Sequence, residues 1–177
     1  MRTLKYAILG LLNRYPMTGY DISKEFDKGL MNFWHAKHSQ IYPELKKLTM
    51  EELVQFEIQI TGEILEKKVY SITESGKECL IQWLLIEESL EPTPKDVFKL
   101  RMYFSENISK EQFRNLIHDQ YIKRLAKYNF LKQYLEEYEN EVAFASPKFG
   151  DYMVLLSANM REKSYLEWLE ICLTKCL

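Results

Sequence analysis

Residues 39–72 read SQIYPELKKLTMEELVQFEIQITGEILEKKVYSI, and the spacing of their apolar side chains changes partway along. Ile41, Leu45 and Leu48 recur at helical intervals, the pattern of a helix with one buried stripe. Pro43 cannot lie deep in a helix interior, so the helix is expected to begin near Ser39, with Pro43 in or next to its first turn. From Leu53 the period becomes two. Val54, Phe56, Ile58 and Ile60 alternate with Gln55, Glu57 and Gln59, which predicts a strand with one wet face. Thr61 to Glu66, containing Gly62, reads as a hairpin loop, and Lys67 to Ile72 as the returning strand.

Upstream, Leu4, Ala7, Ile8, Leu11 and Leu12 form one helical stripe that Thr3 is expected to cap and that ends at Tyr15-Pro16, because the residue before proline avoids the α region. Thr18-Gly19-Tyr20-Asp21 has the form of a capping box. It opens a second helix with Ile22, Phe26 and Leu30 on one face, followed by Phe33-Trp34. Downstream, Thr73-Glu74-Ser75-Gly76 opens a fourth helix through Leu80, Ile81, Leu84 and Leu85. Three helices, a hairpin and a further helix make a winged helix-turn-helix. In that motif the third helix enters the DNA major groove and its N-terminal residues reach base edges.

On this reading His38, Gln40 and Tyr42, on the outer face of the third helix, are placed to read bases; a glutamine can bond adenine N6 and N7 together. Lys46-Lys47 and the wing pair Lys67-Lys68 would contact phosphates, which position a protein without reading sequence. Lys37 lies in the lead-in. Two alternatives remain open at this point. Lysine pairs on an exposed helix are commonly a solvated face, and some winged helices bind only proteins.

The chain has 177 residues, 46% hydrophobic and 28% charged, with a formal net charge of −2. No apolar run approaches the ~20 residues of a membrane-spanning helix. The N-terminus lacks a cleavage site after an apolar stretch and reads as a folded helix rather than a signal peptide. Three cysteines, Cys79, Cys172 and Cys176, with no CxxC pair suggest neither a disulfide framework nor a zinc knuckle, and the cytoplasm is the expected compartment. A near-neutral charge argues against non-specific coating of DNA, so nucleic-acid contact must come from local clusters.

Two prolines in Glu91-Pro92-Thr93-Pro94 interrupt the pattern and divide the chain into a winged helix over residues 1–88 and a helical part over 89–177. Lys95 to Phe104 reads as a short helix. Ser109-Lys110-Glu111-Gln112 is a further capping box. It starts a run in which Phe113, Ile117, Tyr121, Leu125, Tyr128, Leu135, Tyr138 and Val142 keep helical spacing. A helix to Val142 would be roughly 50 Å long. Ser146-Pro147 is expected to cap a last helix carrying Tyr152, Leu155, Leu156, Leu166, Leu169 and Leu173, with proline at its first position. Two long striped helices without a sheet to cover them need a partner, and a second copy supplies one. The expected class is therefore mainly α with a small β-hairpin wing.

Nucleotide-hydrolase and common hydrolase motifs are absent from the sequence, and no cofactor or metal is expected. Cys172 and Cys176, four apart with His118 elsewhere, are read as inert buried thiols, with a redox switch as the alternative. An enzyme or small-molecule carrier built on the tyrosine-rich helices stands as a second functional class.

The segment Phe33 to Leu48, FWHAKHSQIYPELKKL, resembles the recognition-helix signature of PadR-family transcriptional regulators. Ala7 to Leu12 and Thr18 to Ile22 are similar to the family's opening, Lys68 to Lys77 to its wing return and fourth helix, and Ser146 to Leu155 and Arg161 to Glu170 to its C-terminal part, so the resemblance covers essentially the whole chain. The resemblance implies a homodimeric repressor that binds an inverted-repeat operator in double-stranded DNA. Release by a small aromatic effector, such as p-coumaric or ferulic acid, is implied with it. DNA contact falls on Lys37, His38, Ser39, Gln40, Tyr42, Lys67 and Lys68. Tyr121, Arg124, Lys127 and Tyr128 become candidates for walling in an aromatic acid and holding its carboxylate, together with Asp151, which stands where a histidine is expected. Two further departures are Glu52, where the family has a glycine suited to a left-handed helix end, and the acidic wing tip Gly62-Glu63-Ile64-Leu65-Glu66.

Overall fold

The computed structural model describes residues 2–28, 38–61, 65–90, 92–138, 143–144, 146 and 148–175, the side chains of Lys28, His38, Thr61 and Leu65 excepted. The expectations placed on Leu30, Phe33, Trp34, Lys37, the side chain of His38, Gly62 to Ile64, Val142, Pro147 and Cys176 lie outside that set. Two compact units follow one another, Met1–Ser89 and Leu90–Leu177.

In the first unit the order is α1 (Thr3–Arg14), β1 (Met17–Thr18), α2 (Gly19–Lys28), α3 (His38–Met50), β2 (Val54–Thr61), β3 (Leu65–Ile72) and α4 (Glu74–Leu84). The stripes of α1, α2 and α3 meet in one core: Ile8, Leu9, Ile22, Ile41, Leu45 and Leu48 are fully buried. The start of α1 differs from expectation. Arg2, not Thr3, is the N-cap residue and makes no side-chain cap bond; its guanidinium is committed elsewhere, as described below. The capping box at α2 forms, with Thr18 N donating to Asp21 Oδ2 at 3.1 Å and Asp21 N to Thr18 Oγ1 at 3.2 Å.

The same segment holds a strand that the sequence did not announce. Met17 pairs with Tyr70 and Thr18 with Val69, so the sheet is three-stranded, antiparallel, in the order β1-β3-β2. Two residues are too few for an alternation to be visible. Pro43 is the sixth residue of α3, one turn deeper than the first. It deprives the Ser39 carbonyl of its helical donor, at a residue exposed to solvent. The hairpin register, Val54↔Ile72 to Thr61↔Leu65, follows the alternation. Only its base is buried, however: Val54 and Tyr70 are in the core, while Ile58 and Ile60 are 55% and 71% exposed.

The turn from α3 into β2 is a Schellman motif. Glu52 N donates to Thr49 O at 3.1 Å and Leu53 N to Leu48 O at 3.0 Å. Glu52 takes φ 57°, the left-handed conformation in which glycine was expected. The turn is docked onto the start of α4: Thr73 Oγ1 donates to Glu52 O at 2.8 Å and Thr73 N to Leu53 O at 3.1 Å. Thr73 also caps α4 by accepting from Gly76 N. A Cβ at Gly76 would lie 2.1 Å from Leu53 O, so this approach needs glycine.

The second unit contains α5 (Val97–Tyr103), a short 3-10 turn, α6 (Lys110–Glu136) and α7 (Phe149–Lys175). Asp96 caps α5 through Lys99 N, and Ser109 with Gln112 forms the expected capping box. Helix α6 stops at Glu136, short of Val142, and its 27 residues span about 40 Å. Before α7, Ser146 Oγ accepts from Lys148 N at 3.2 Å. The two long helices run antiparallel, with Tyr121 bonded to Glu170, Arg124 to Glu162 and Asn159 to the Tyr128 carbonyl. Ile117, Tyr165 and Leu169 form the core, with Phe98, Trp168 and Cys172 packed around it.

Candidate nucleic-acid interface

Helix α3 buries Ile41, Leu45, Leu48 and also Glu44, and turns Ser39, Gln40, Tyr42, Pro43, Lys46 and Lys47 outward. At helical spacing, Ser39, Tyr42 and Lys46 share one edge of the exposed face and Gln40 and Lys47 the other. His38 is the first residue of the helix.

Tyr42 is 56% exposed yet fixed in place. A Cβ on Gly19 would fall 2.6 Å from Tyr42 Cε1, so the absence of a side chain at 19 lets the ring lie across the start of α2. Tyr42 also stands near Tyr70, whose phenol is pushed up by burial and by that neighbour. Tyr20, the neighbour of Gly19, is 61% exposed, with Lys24 Nζ 5.1 Å above its ring. Sequence reading had assigned neither Tyr20 nor Lys24 a role. The capping box was the available signal, since it places the start of α2 at the solvent edge of the motif.

The wing lysines separate. Lys67 pairs with Gln59 and Lys68 with Ile58, so successive residues face opposite sides of the sheet. Lys68 lays its ammonium 4.1 Å from the centre of the Phe56 ring. Lys67 faces the other way, toward α2. There, the Thr18 hydroxyl bond above all, against the opposing effect of burial, holds the Asp21 carboxyl below its ordinary value; Lys24 and Lys67 add their charges.

Behind α3 lies a charged clamp. Arg2 Nη2 and Nε donate to Glu44 Oε1 at 2.6 and 3.0 Å, and Arg2 Nη1 donates to Glu51. Lys5 Nζ adds a contact to Glu51 Oε2 at 3.4 Å. The hydrogen bond from Arg2 keeps the Glu51 carboxyl below the usual carboxylate value, against the effect of burial.

In the second unit three of the effector candidates, Tyr121, Arg124 and Lys127, are engaged internally. Arg124 Nη1 donates to Glu162 Oε2 at 2.8 Å and Lys127 Nζ lies 3.3 Å from Oε1, with the Glu162 side chain fully buried. Burial alone would raise that carboxyl; the Arg124 bond and the two cations outweigh it and hold it below its ordinary value. The Arg124 guanidinium stacks 3.9 Å over Tyr165, and Tyr165 OH donates to Asp96 Oδ2 at 3.0 Å. Burial and that bond push the Tyr165 phenol up to about 12. Tyr121 donates to Glu170 at 2.9 Å. Asp151 is half-buried in the first turn of α7. A groove of about 450 Å³ between α6 and α7 is lined by Arg114, Asn115, His118, Leu173 and Thr174, and by none of the five candidates. Among the described residues no three His, Cys, Asp or Glu side chains are grouped to hold a metal, and no helix is long and apolar enough to cross a membrane.

Comparison with known proteins matches residues 8–82 to the Transcriptional regulator PadR-like family and residues 94–176 to the Virulence activator alpha C-term family. The Negative transcriptional regulator PadR of Bacillus subtilis (strain 168) is 47% identical over 173 residues, 96% of this chain and 95% of that protein. The crystal structure of Bacillus subtilis PadR in complex with operator DNA superposes with a TM-score of 0.95 at 46% identity, covering 99% of this chain and all of that one. The crystal structure of the same protein in complex with p-coumaric acid gives 0.87 at 45% identity, covering 99% of both chains. With the winged helix, the outward face of α3 and this near-complete coverage, the chain belongs to the PadR family of transcriptional regulators.

Proposed function

We propose that this protein is a homodimeric repressor that binds an inverted-repeat operator and leaves it when a small aromatic acid binds. The observation that carries the reading is the full-length match to a relative whose structure is known with operator DNA, combined with an α3 whose outer face is polar and exposed. Ser39, Gln40 and Tyr42, with Lys37 and His38 preceding them, read the major groove; Lys46 and Lys67 hold phosphates, and Lys68 contributes less because it lies over Phe56. Residues 1–88 form the DNA-binding domain and residues 89–177 the dimerisation and effector-response domain of a cytoplasmic regulator.

The second copy docks on the helical part. Ile122, Ala126, Phe130 and Tyr134 are exposed along one stripe of α6, an apolar surface a monomer does not ordinarily leave in water. A two-fold dimer then presents two α3 helices to half-sites about one helical turn apart. The relative solved with p-coumaric acid supports a phenolic acid as the effector, with Tyr121, Arg124, Lys127, Tyr128 and Asp151 as the residues to probe.

One observation favours a different effector in this chain. Arg124 and Lys127 already share the buried Glu162 carboxylate, so an incoming carboxylate meets a pair of cations that is neutralised in part. The deciding experiment measures binding to the protein's own upstream region at near-physiological salt, with and without p-coumaric acid. Release by the acid is the result the phenolic reading expects. Specific binding indifferent to the acid keeps the repressor and rejects the phenolic effector. Failure to bind any specific duplex rejects the operator reading itself.

A further inference from the structure

We infer that Arg2 is a positioning residue for operator recognition, acting through Glu44 and Glu51 to set the rotation of α3 about its axis. The inference rests on the DNA-binding reading above and goes beyond it by naming what holds the reading helix in register.

Arg2 sits at the cap of α1, outside the helix-turn-helix proper, and its guanidinium grips α3 at two points. Two of its nitrogens converge on Glu44 Oε1, and the third meets Glu51 just beyond the end of the helix. Glu44 is only 7% exposed, and a buried carboxylate strongly favours retaining its partner. Glu44 follows Gln40 by four residues, so the two share one side of the helix: the gripped side chain and the outward Gln40 turn together. An α3 side-chain tip about 6 Å from the axis moves by roughly 1 Å for a roll of ~10°, enough to spoil a bidentate hydrogen bond to a base.

The apolar stripe of Ile41, Leu45 and Leu48 resists displacement of the helix but constrains its roll weakly, because dispersion contacts are non-directional. A planar guanidinium fork is directional and supplies that constraint. Charge balance argues against the competing role of Arg2 as a phosphate contact. Arg2 and Lys5 face Glu44 and Glu51, two positive against two negative groups, and the cluster offers DNA no net positive charge.

The test uses the full-length protein and a duplex enriched from a random-sequence library by the wild type, with a scrambled duplex of the same composition as control. Arg2→Ala is expected to lower affinity for the enriched duplex about tenfold or more, the equivalent of losing roughly one bidentate base contact. Affinity for the scrambled duplex, and the slope of binding against salt, should stay as in the wild type because no phosphate contact is lost. Glu44→Gln, which keeps the side-chain shape and serves if Arg2→Ala fails to fold, should show the same selective loss. The double variant should lose no more than either single change, since both remove one clamp.

Equal losses on both duplexes with a shallower salt slope would make Arg2 a phosphate contact and overturn the inference. Wild-type affinity in both variants would overturn it as well, while leaving the operator reading intact. A wild type that enriches no sequence would overturn the operator reading and the inference together.

Discussion

At the scale of single residues, Glu52 carries backbone strain that its side chain does not offset. It holds φ 57° in a Schellman turn whose bonds are all made by backbone atoms, and a residue with a Cβ is disfavoured there by ~1 kcal/mol. Glu52→Gly should therefore stabilise the protein by about 1 kcal/mol, read as a higher urea midpoint at constant slope. Gly76 is the opposite case. Its missing Cβ admits the Leu53 carbonyl, and Gly76→Ala should destabilise by about 3 kcal/mol or more, because the clash is with backbone that cannot rotate away. Thermal unfolding checks both.

At the scale of elements, the wing and the reading helix divide the work by the direction of their side chains. Lys67 points clear of the apolar face while Lys68 is held over Phe56. Lys67→Ala should make the dependence of log K on log salt shallower by about one unit, and Lys68→Ala by clearly less. Gln40→Ala should cost about 1–3 kcal/mol on the operator and far less on scrambled DNA, a ratio accessible by titration of labelled duplexes. In the helical unit, Phe130→Glu places a charge in the exposed α6 stripe; sedimentation should then show a monomer with reduced operator affinity.

At the scale of the whole molecule, pH acts through shifted carboxyls and phenols. Glu51 and Glu162 are held below their ordinary values by Arg2 and Arg124. The stability they add is present above the unfolded carboxylate value of about 4.5 and is lost as pH falls through the lower folded value. Tyr165 lies on the other side. Its folded pKa is about 12, so its contribution is complete below the unfolded value near 10 and disappears as pH rises through about 12. Denaturation across pH should show both limbs, with Glu162→Gln flattening the acid limb and Tyr165→Phe the alkaline one. Effector response is also a whole-molecule property: an acid that bound the DNA-bound and released dimers equally would shift nothing.

The periodicity of Ile41, Leu45 and Leu48 followed by the alternation from Val54, and the boxes at Thr18 and Ser109, made the winged helix and the long helices legible. Those features depend on neighbours a few residues apart, so local sequence determines them. The resemblance in Phe33 to Leu48 likewise identified the family without any structure. Tertiary structure alone decided what depends on distant partners. Strand β1 exists because Met17 and Thr18 find β3. The apolar residues Ile58 and Ile60 of the wing are left exposed although their alternation predicts a covered face. Arg124 and Lys127 turn toward a glutamate 38 and 35 positions away in sequence, and Arg2 closes on Glu44 across 42. A charged residue carries no periodic signal that names its partner. Only the packing of α1 on α3, and of α6 on α7, determines which opposite charges share a dry site.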